Sequence, residues 1–422
     1  MKTVPLWTDQ YPRPGDLPIS PLPEQVDVAI IGGGYTGLNA ARVIASSGGR
    51  VAVLEQQYIG WGASSRNGGM ATTGLKAAAA VVYQRYGPAL GRAFWEASLD
   101  AIDLIGQLVA DEKIDCHFAR RGHIALAYKP SHFEAMQKKA AWYKQTFNHT
   151  VRAVPPGELA QEIGSPAFHG GLVDEYSAGL HPAGYVFGLA RAVARHGALL
   201  CEEVPVQRIE RVGSQFQVHT GRGVVRAGEV LVATNGYTSS LVPGLKPRIF
   251  PVGSYIIVTE PLPPDLQKKL SPKGRMFYDS KWFLNYFRLT PDGRMLFGGR
   301  NNLSTNLDLQ ESARILQAQM VHVFPDLAGM PITHSWTGQL GLTFDLMPHI
   351  GRLDGVHYAF GYGGHGVSIA TYLGTEAGLL LTGQKSDSPF AQIRHPTYFF
   401  YRRRPWFLPL AAFYYRLLDW LS

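Results

Sequence analysis

The stretch from Val26 to Met70 constrains this chain more than any other. Val26 to Ile31 is a short, mostly apolar run rich in Val and Ile, the composition of a buried parallel strand. Gly32, Gly34 and Gly37 follow as G-x-G-x-x-G, with Tyr35 and Thr36 inside the motif. Leu38, Ala41, Ile44 and Ala45 recur at helical spacing, and Ser47-Gly48-Gly49 stops the helix. Val51 to Leu54 reads as a second strand, which ends on Glu55 and Gln56. Strand, glycine turn, helix, strand and acid in this order suit a dinucleotide. Gly32 makes the tight turn, Gly34 admits a pyrophosphate, and Gly37 lets helix and strand pack closely. Glu55 stands where a carboxylate accepts hydrogen bonds from ribose hydroxyls.

A second segment follows almost at once: Gly60-Trp61-Gly62-Ala63-Ser64-Ser65-Arg66-Asn67-Gly68-Gly69-Met70. Its small, polar composition also fits a plain surface loop. Its position after the acid, its backbone N–H donors and its two hydroxyls suit a second cradle for a long cofactor. A third glycine cluster, Gly361-Tyr362-Gly363-Gly364-His365-Gly366, precedes a helix-forming run from Val367 to Thr382. A helix N-terminus there suits a group on which negative charge develops.

The glycine motif, Glu55 and the Gly-Trp-Gly-Ala-Ser-Ser-Arg-Asn-Gly-Gly run resemble the FAD-dependent oxidoreductases of the D-amino acid oxidase, glycine oxidase and sarcosine oxidase group, with the γ-glutamylputrescine oxidase branch most similar. That branch is also similar at Val252 to Pro261, at Asn285 to Leu289 with Leu296 to Gly299, and at Gly361 to Val367. The resemblance covers most of residues 24–385. It implies an α/β fold: an FAD-binding Rossmann-like domain (βαβ, glutathione-reductase type) with an inserted antiparallel-sheet substrate domain. It further implies FAD contacts at Gly32, Gly34, Tyr35, Thr36, Gly37, Glu55 and Gln56 in the first cradle. Those of the second are Trp61, Gly62, Ala63, Ser64, Ser65, Asn67, Gly68, Gly69 and Met70. Later contacts are Val206, Ala233, Thr234, Asn235, Gly236, Gly338, Gly363, Gly364, His365, Gly366 and Val367. Some relatives attach the flavin through Cys or His. Residues 60–70 contain no His and the region of Leu340 no Cys, so noncovalent FAD is expected.

The expected organisation is an N-terminal arm (1–23), a discontinuous FAD-binding domain (24–84, 155–248 and 333–385), a substrate domain (85–154 and 249–332) and a tail (386–422). Period-two alternation over Ser254 to Thr259, Phe283 to Leu289 and Arg294 to Gly298 marks antiparallel strands. In the tail, Arg402-Arg403-Arg404 leads into an aromatic stretch, Pro405 to Leu421. Leu410, Phe413, Leu417 and Leu421 fall near one helical face. Packing against the body or a partner subunit is one reading; peripheral membrane contact through 402–421 is the other.

Flavin amine oxidation asks little of side chains beyond positioning and exclusion of water, so no nucleophile triad is expected. Amino-acid oxidases of the family grip the substrate carboxylate with arginine. Aligned positions fall near Leu340 and Gly364, and neither is basic. Arg288 and Arg352 are the substitutes, but Arg288 is read as solvent-facing and Arg352 lies beyond the motif. A small-molecule amine is therefore expected over a free α-amino acid. His365 is either structural or a catalytic group beside the flavin. Tyr255, Tyr286, Trp336 and Tyr362 are the expected substrate-facing aromatics, with core packing as the rival reading of each.

The remaining sequence properties exclude other classes. Two cysteines, Cys116 and Cys201, supply neither a disulfide framework nor metal spacing, so no metal and a reducing, cytoplasmic compartment are expected. A formal charge of +8 comes without a zinc-finger, RNA-recognition or helix-turn-helix signature, which argues against nucleic acid as a partner. An NAD-dependent dehydrogenase is disfavoured by the two extra glycine cradles. A flavin-binding protein without turnover stays open, and oligomeric state is undetermined.

Overall fold

The computed structural model describes residues 1–300, 303–402 and 404–421. Arg403, in the basic lead, and the side chain of Leu421 lie outside the described residues. Two large sheets organise the chain. In the first, Gln25–Ile31 is central, with Gly223–Val232 on one side and Val51–Leu54 on the other, all parallel. Leu199–Cys201 extends it beyond Val51–Leu54, and Val356–Phe360 and His349–Leu353 extend the opposite edge. Tyr35–Ser46 is the helix that leaves the central strand, with ten of its residues buried. It packs against Gly366–Leu381, where Gly378 abuts Val43.

The second sheet runs in the order Ile332–Leu342, Phe250–Pro261, Arg294–Gly299, Asn285–Leu289, Met276–Asp279, His123–Leu126, Gly171–Asp174, Arg152–Val154. This corrects the expected boundaries at two places. Gly171–Asp174, and Ile332–Leu342 beyond its first residue, fall in segments assigned above to the FAD domain, yet both strands pair in the substrate-side sheet. Strand partners are set by tertiary contact, and neither run differs in composition from a strand of the first sheet.

Alternation across this second sheet separates two environments. One row reads Val173, Ile124, Phe277, Phe287, Phe297, Ile257. These side chains form an apolar core in which Phe287 stacks at 5.2 Å on Phe297 and at 5.4 Å on Phe277. The opposite row reads Leu172, Ala125, Tyr278, Tyr286, Gly298, Ile256. This face looks toward the nucleotide half of the molecule.

Ala79–Asp111 is helical and is kinked where Gly87 has φ 81° and Pro88 follows. The tail forms a helix, Leu408–Leu421. Leu408 and Ala412 pack beside Phe250 and Tyr401, and Asp419 accepts the backbone N–H groups of Trp282 and Phe283. The face of Leu410, Phe413 and Leu417 is turned outward instead, with Phe413 72% exposed. Among the described residues no helix is long and apolar enough to cross a membrane.

Candidate flavin and substrate site

A cavity of about 520 Å³ lies between the two sheets. Its first wall is the glycine turn. Gly37 admits no side chain because a Cβ there would collide with the Gly32 carbonyl. A Cβ on Gly34 would stand 2.7 Å from Ser64 Oγ, which already accepts the Tyr35 N–H at 3.0 Å. The turn and the second cradle are thus interlocked. Glu55 is buried at the end of its strand; Oε2 accepts the Gly33 N–H at 2.8 Å and Oε1 the Gln57 N–H at 3.0 Å. Burial pushes its pKa up, against the pull of these N–H groups.

The second cradle is held by Asn67. Its Nδ2 donates to the carbonyls of Ala63 and Ser64, and its Oδ1 accepts the Gly69 N–H. Arg66 lies 5.0 Å above the Trp61 ring and donates to the Trp61 carbonyl. The third cradle closes on the first: Thr36 Oγ1 and Tyr362 Oη are 2.6 Å apart. Gly363 and Gly364 have φ of 59° and 111° and turn the chain into the helix that begins at Gly366. His365 is the residue before that helix. Its Nδ1 is buried with no partner among the described residues, and burial depresses its pKa to about 3. It is therefore a neutral imidazole across the physiological range.

Most of the expected cofactor residues border this cavity: Gly32, Gly34, Tyr35, Thr36, Glu55, Gln56, Trp61, Gly62, Ala63, Ser64, Asn67, Gly68, Met70, Val206, Ala233, Thr234, Asn235, Gly338, Gly363, Gly364, His365, Gly366 and Val367. Four expected contacts are corrected. Gly37 packs helix on strand, and Gly236 packs on the backbone of Gln339 to Gly341. Ser65 is buried away from the lumen. Gly69 gives its carbonyl to Arg288 and Leu180.

Two of the four aromatics are corrected as well. Tyr255 has the parity of Ile257 and faces the apolar core, where Oη donates to the Ser304 carbonyl and accepts the Leu307 N–H. Trp336 has the right parity, paired with Ile256, but the second cradle covers it: its indole N–H donates to the Arg66 carbonyl at 2.8 Å. Tyr286 and Tyr362 do border the lumen. Tyr286 lies across Gly298, whose missing side chain leaves the room, and reaches Ser254 Oγ at 3.0 Å.

The expected lack of a guanidinium is also overturned. Arg288 is not solvent-facing; it is 7% exposed and donates to the Gly69 and Leu180 carbonyls, outside the lumen. Arg352 bonds Glu229 at the surface. Arg300 instead enters from the end of Arg294–Gly299, with Nη2 3.7 Å from where a Cβ on Gly364 would project. Lys76 lies beside Gly363, and neither cation has a hydrogen-bond acceptor among the described residues. The charge of Arg300, then burial, lowers the Lys76 pKa to about 7. Sequence reading missed both, together with His123, Lys139, Asp174 and Tyr278 farther along the cavity. A lysine in a small polar loop and an arginine at a strand end carry no local signal.

The family described as DAO, FAD dependent oxidoreductase, matches residues 27–378. This chain belongs to that family. The DAO-family chain is 32% identical to the gamma-glutamylputrescine oxidoreductase of Escherichia coli (strain K12) over 401 residues, 94% of this chain and 93% of that protein. It is also 32% identical to the probable oxidoreductase OrdL of Haemophilus influenzae over 357 residues, 83% of this chain and 81% of that protein. In fold it is similar to the glycine oxidase of Geobacillus kaustophilus, with a TM-score of 0.75 at 22% identity over 89% of this chain and all of that one.

The residues fit the FAD that this family uses. Close contacts at Gly34 and Gly37, which leave no room for side chains, shape the first cradle, and Glu55 closes it. The helices Tyr35–Ser46 and Gly366–Leu381 both begin at the lumen without a side-chain cap. The orphan Nδ1 of His365 supplies a further polar atom.

Proposed function

We propose that this enzyme oxidises the C–N bond of an extended amine at noncovalently held FAD, with a substrate similar to that named for the gamma-glutamylputrescine oxidoreductase it resembles. The observation that carries this reading is the length of the cavity floor. From the strand of Ile256 to that of Leu172 it crosses five inter-strand steps, about 24 Å at ~4.8 Å each, and Leu172, Ala125, Tyr278, Tyr286 and Ile256 all border the lumen. Glycine or sarcosine needs no such length. Bound flavin supplies the hydride acceptor for the carbon beside the nitrogen. Lys76, with its pKa near neutrality, takes the proton of the incoming ammonium, and the fixed charge of Arg300 keeps the amine neutral. The cradle backbone and Tyr286 exclude water and position the chain. The released imine hydrolyses unaided, and oxygen as acceptor gives hydrogen peroxide.

One observation favours a second reading. Arg300 and Lys76 together match an α-carboxylate, as a free amino acid would present. Steady-state peroxide production, or anaerobic flavin bleaching, on γ-glutamylputrescine, putrescine, sarcosine, glycine and D-amino acids separates the two. The first reading expects the extended amine to have the highest kcat/KM. Faster bleaching by glycine, sarcosine or a D-amino acid overturns it and assigns Arg300 to the carboxylate.

A further inference from the structure

The part of the cavity lined by the helix Pro130–Phe147 and the strand Gly171–Asp174 is charged, and oxidation of an amine leaves that charge unused. Lys139, on the helix Pro130–Phe147, and Asp174, at the end of Gly171–Asp174, both border the lumen. Lys139 Nζ lies 5.1 Å from the centre of the Tyr143 ring and has no hydrogen-bond acceptor among the described residues. Desolvation lowers its pKa while the charge of Asp174 opposes that shift, although the side chain keeps solvent contact. Asp174 is 3% exposed. Its Oδ2 is taken by His149 Nε2 at 2.9 Å and Thr73 Oγ1 at 2.7 Å, whereas Oδ1 accepts only the Tyr176 N–H. A carboxylate has about four acceptor positions, so Oδ1 keeps capacity for one more donor. The chamber therefore offers a cation without an acceptor and a fixed anion with a vacant lone pair.

We propose that this chamber is a second recognition site, in which Lys139 takes the α-carboxylate and Asp174 the α-ammonium of a zwitterionic head group on an extended amine. The assignment rests on the reading that the amine is oxidised at the cradle end. Lys76 and Arg300 beside the late glycine cluster and the pair Lys139 and Asp174 give one cavity two charged groups, and Tyr278, Ala125 and Leu172 line it as well. A substrate charged only at its reacting amine leaves Lys139 Nζ and the open acceptor position on Asp174 Oδ1 unused. A substrate with an amino-acid head satisfies both.

The test compares γ-glutamylputrescine, which carries the head, with N-acetylputrescine, which keeps the amide and the amine but lacks it. Lys139→Met in the holoenzyme is expected to raise KM for γ-glutamylputrescine by about 10- to 100-fold, the loss of one charged hydrogen bond. Its kcat and the constants for N-acetylputrescine are expected to stay within about twofold. Lys139→Arg should restore most of the loss, and Asp174→Asn should act like Lys139→Met. Calorimetric titration of the holoenzyme with L-glutamine gives a readout independent of turnover: wild type should bind it and Lys139→Met should not. Equal γ-glutamyl preference in wild type and Lys139→Met overturns the site. If wild type turns over none of these amines, the amine reading fails and calorimetry alone decides the site, with equal glutamine binding by both proteins, or none by either, counting against it.

Discussion

Thr36 and Tyr362 stand 326 positions apart in the chain, and a 2.6 Å hydrogen bond joins their hydroxyls. That bond ties the helix of the first glycine turn to the late glycine cluster. The Tyr362 hydroxyl also donates to the Ala359 carbonyl at 3.0 Å, so Thr36 is the donor between the two side chains. Tyr362→Phe should leave a buried hydroxyl and carbonyl unpaired, destabilising the holoenzyme by about 1–2 kcal/mol. It should also speed FAD loss, read as rising flavin fluorescence on dilution. An unchanged melting temperature and release rate would show that the cradles hold together without it.

Glu55 carries the second prediction. It is buried, and its carboxylate accepts the Gly33 and Gln57 N–H groups; with about four acceptor positions it keeps capacity for a ribose hydroxyl. Purified protein should absorb near ~450 nm, as oxidised flavins do. Heat or acid should release FAD into the supernatant, and flavin retained in the pellet would refute noncovalent attachment. Glu55→Gln should weaken FAD binding by roughly 1–3 kcal/mol, measured by titrating apoprotein. Equal affinity would place the ribose elsewhere.

The pairing of Lys76 with Arg300 sets a pH dependence. Lys76 is protonated below about 7 and neutral above it. A base that must be neutral makes kcat/KM fall as pH drops through that value. Lys76→Met should remove this limb. Arg300→Met should move it to higher pH, because the largest influence depressing the Lys76 pKa is gone. A limb that persists unshifted in both variants belongs to another group.

The parity of the second sheet gives the fourth. Tyr286→Phe should change substrate KM, since Tyr286 borders the lumen and bonds Ser254. Tyr255→Phe should leave kinetics intact while costing about 1–2 kcal/mol of stability from the orphaned Leu307 N–H. Urea unfolding with parallel steady-state kinetics separates the two. A kinetic defect in Tyr255→Phe would mean that the sheet face is misassigned.

The sequence by itself determined the nucleotide half. Gly32 to Gly37, Glu55 and the Trp61 to Met70 loop are contiguous, and their spacing encodes a local geometry that needs no distant partner. Of the four aromatics, Tyr286 and Tyr362 border the lumen and Tyr255 and Trp336 do not. Period two tells which residues share a face of a strand, but not which face meets the lumen or what covers it. Tyr255 lost to parity, and Trp336 to a cradle arriving from 270 positions away. The charged lining was not legible at all. Arg300 occupies space beside Gly364, and Lys139 and Asp174 come to one chamber from a helix and a strand end. The tertiary structure alone decided these, because a side chain's reach into a cavity depends on the packing of elements that are remote in sequence. An arginine missing from its aligned position therefore said nothing about the charge in the site.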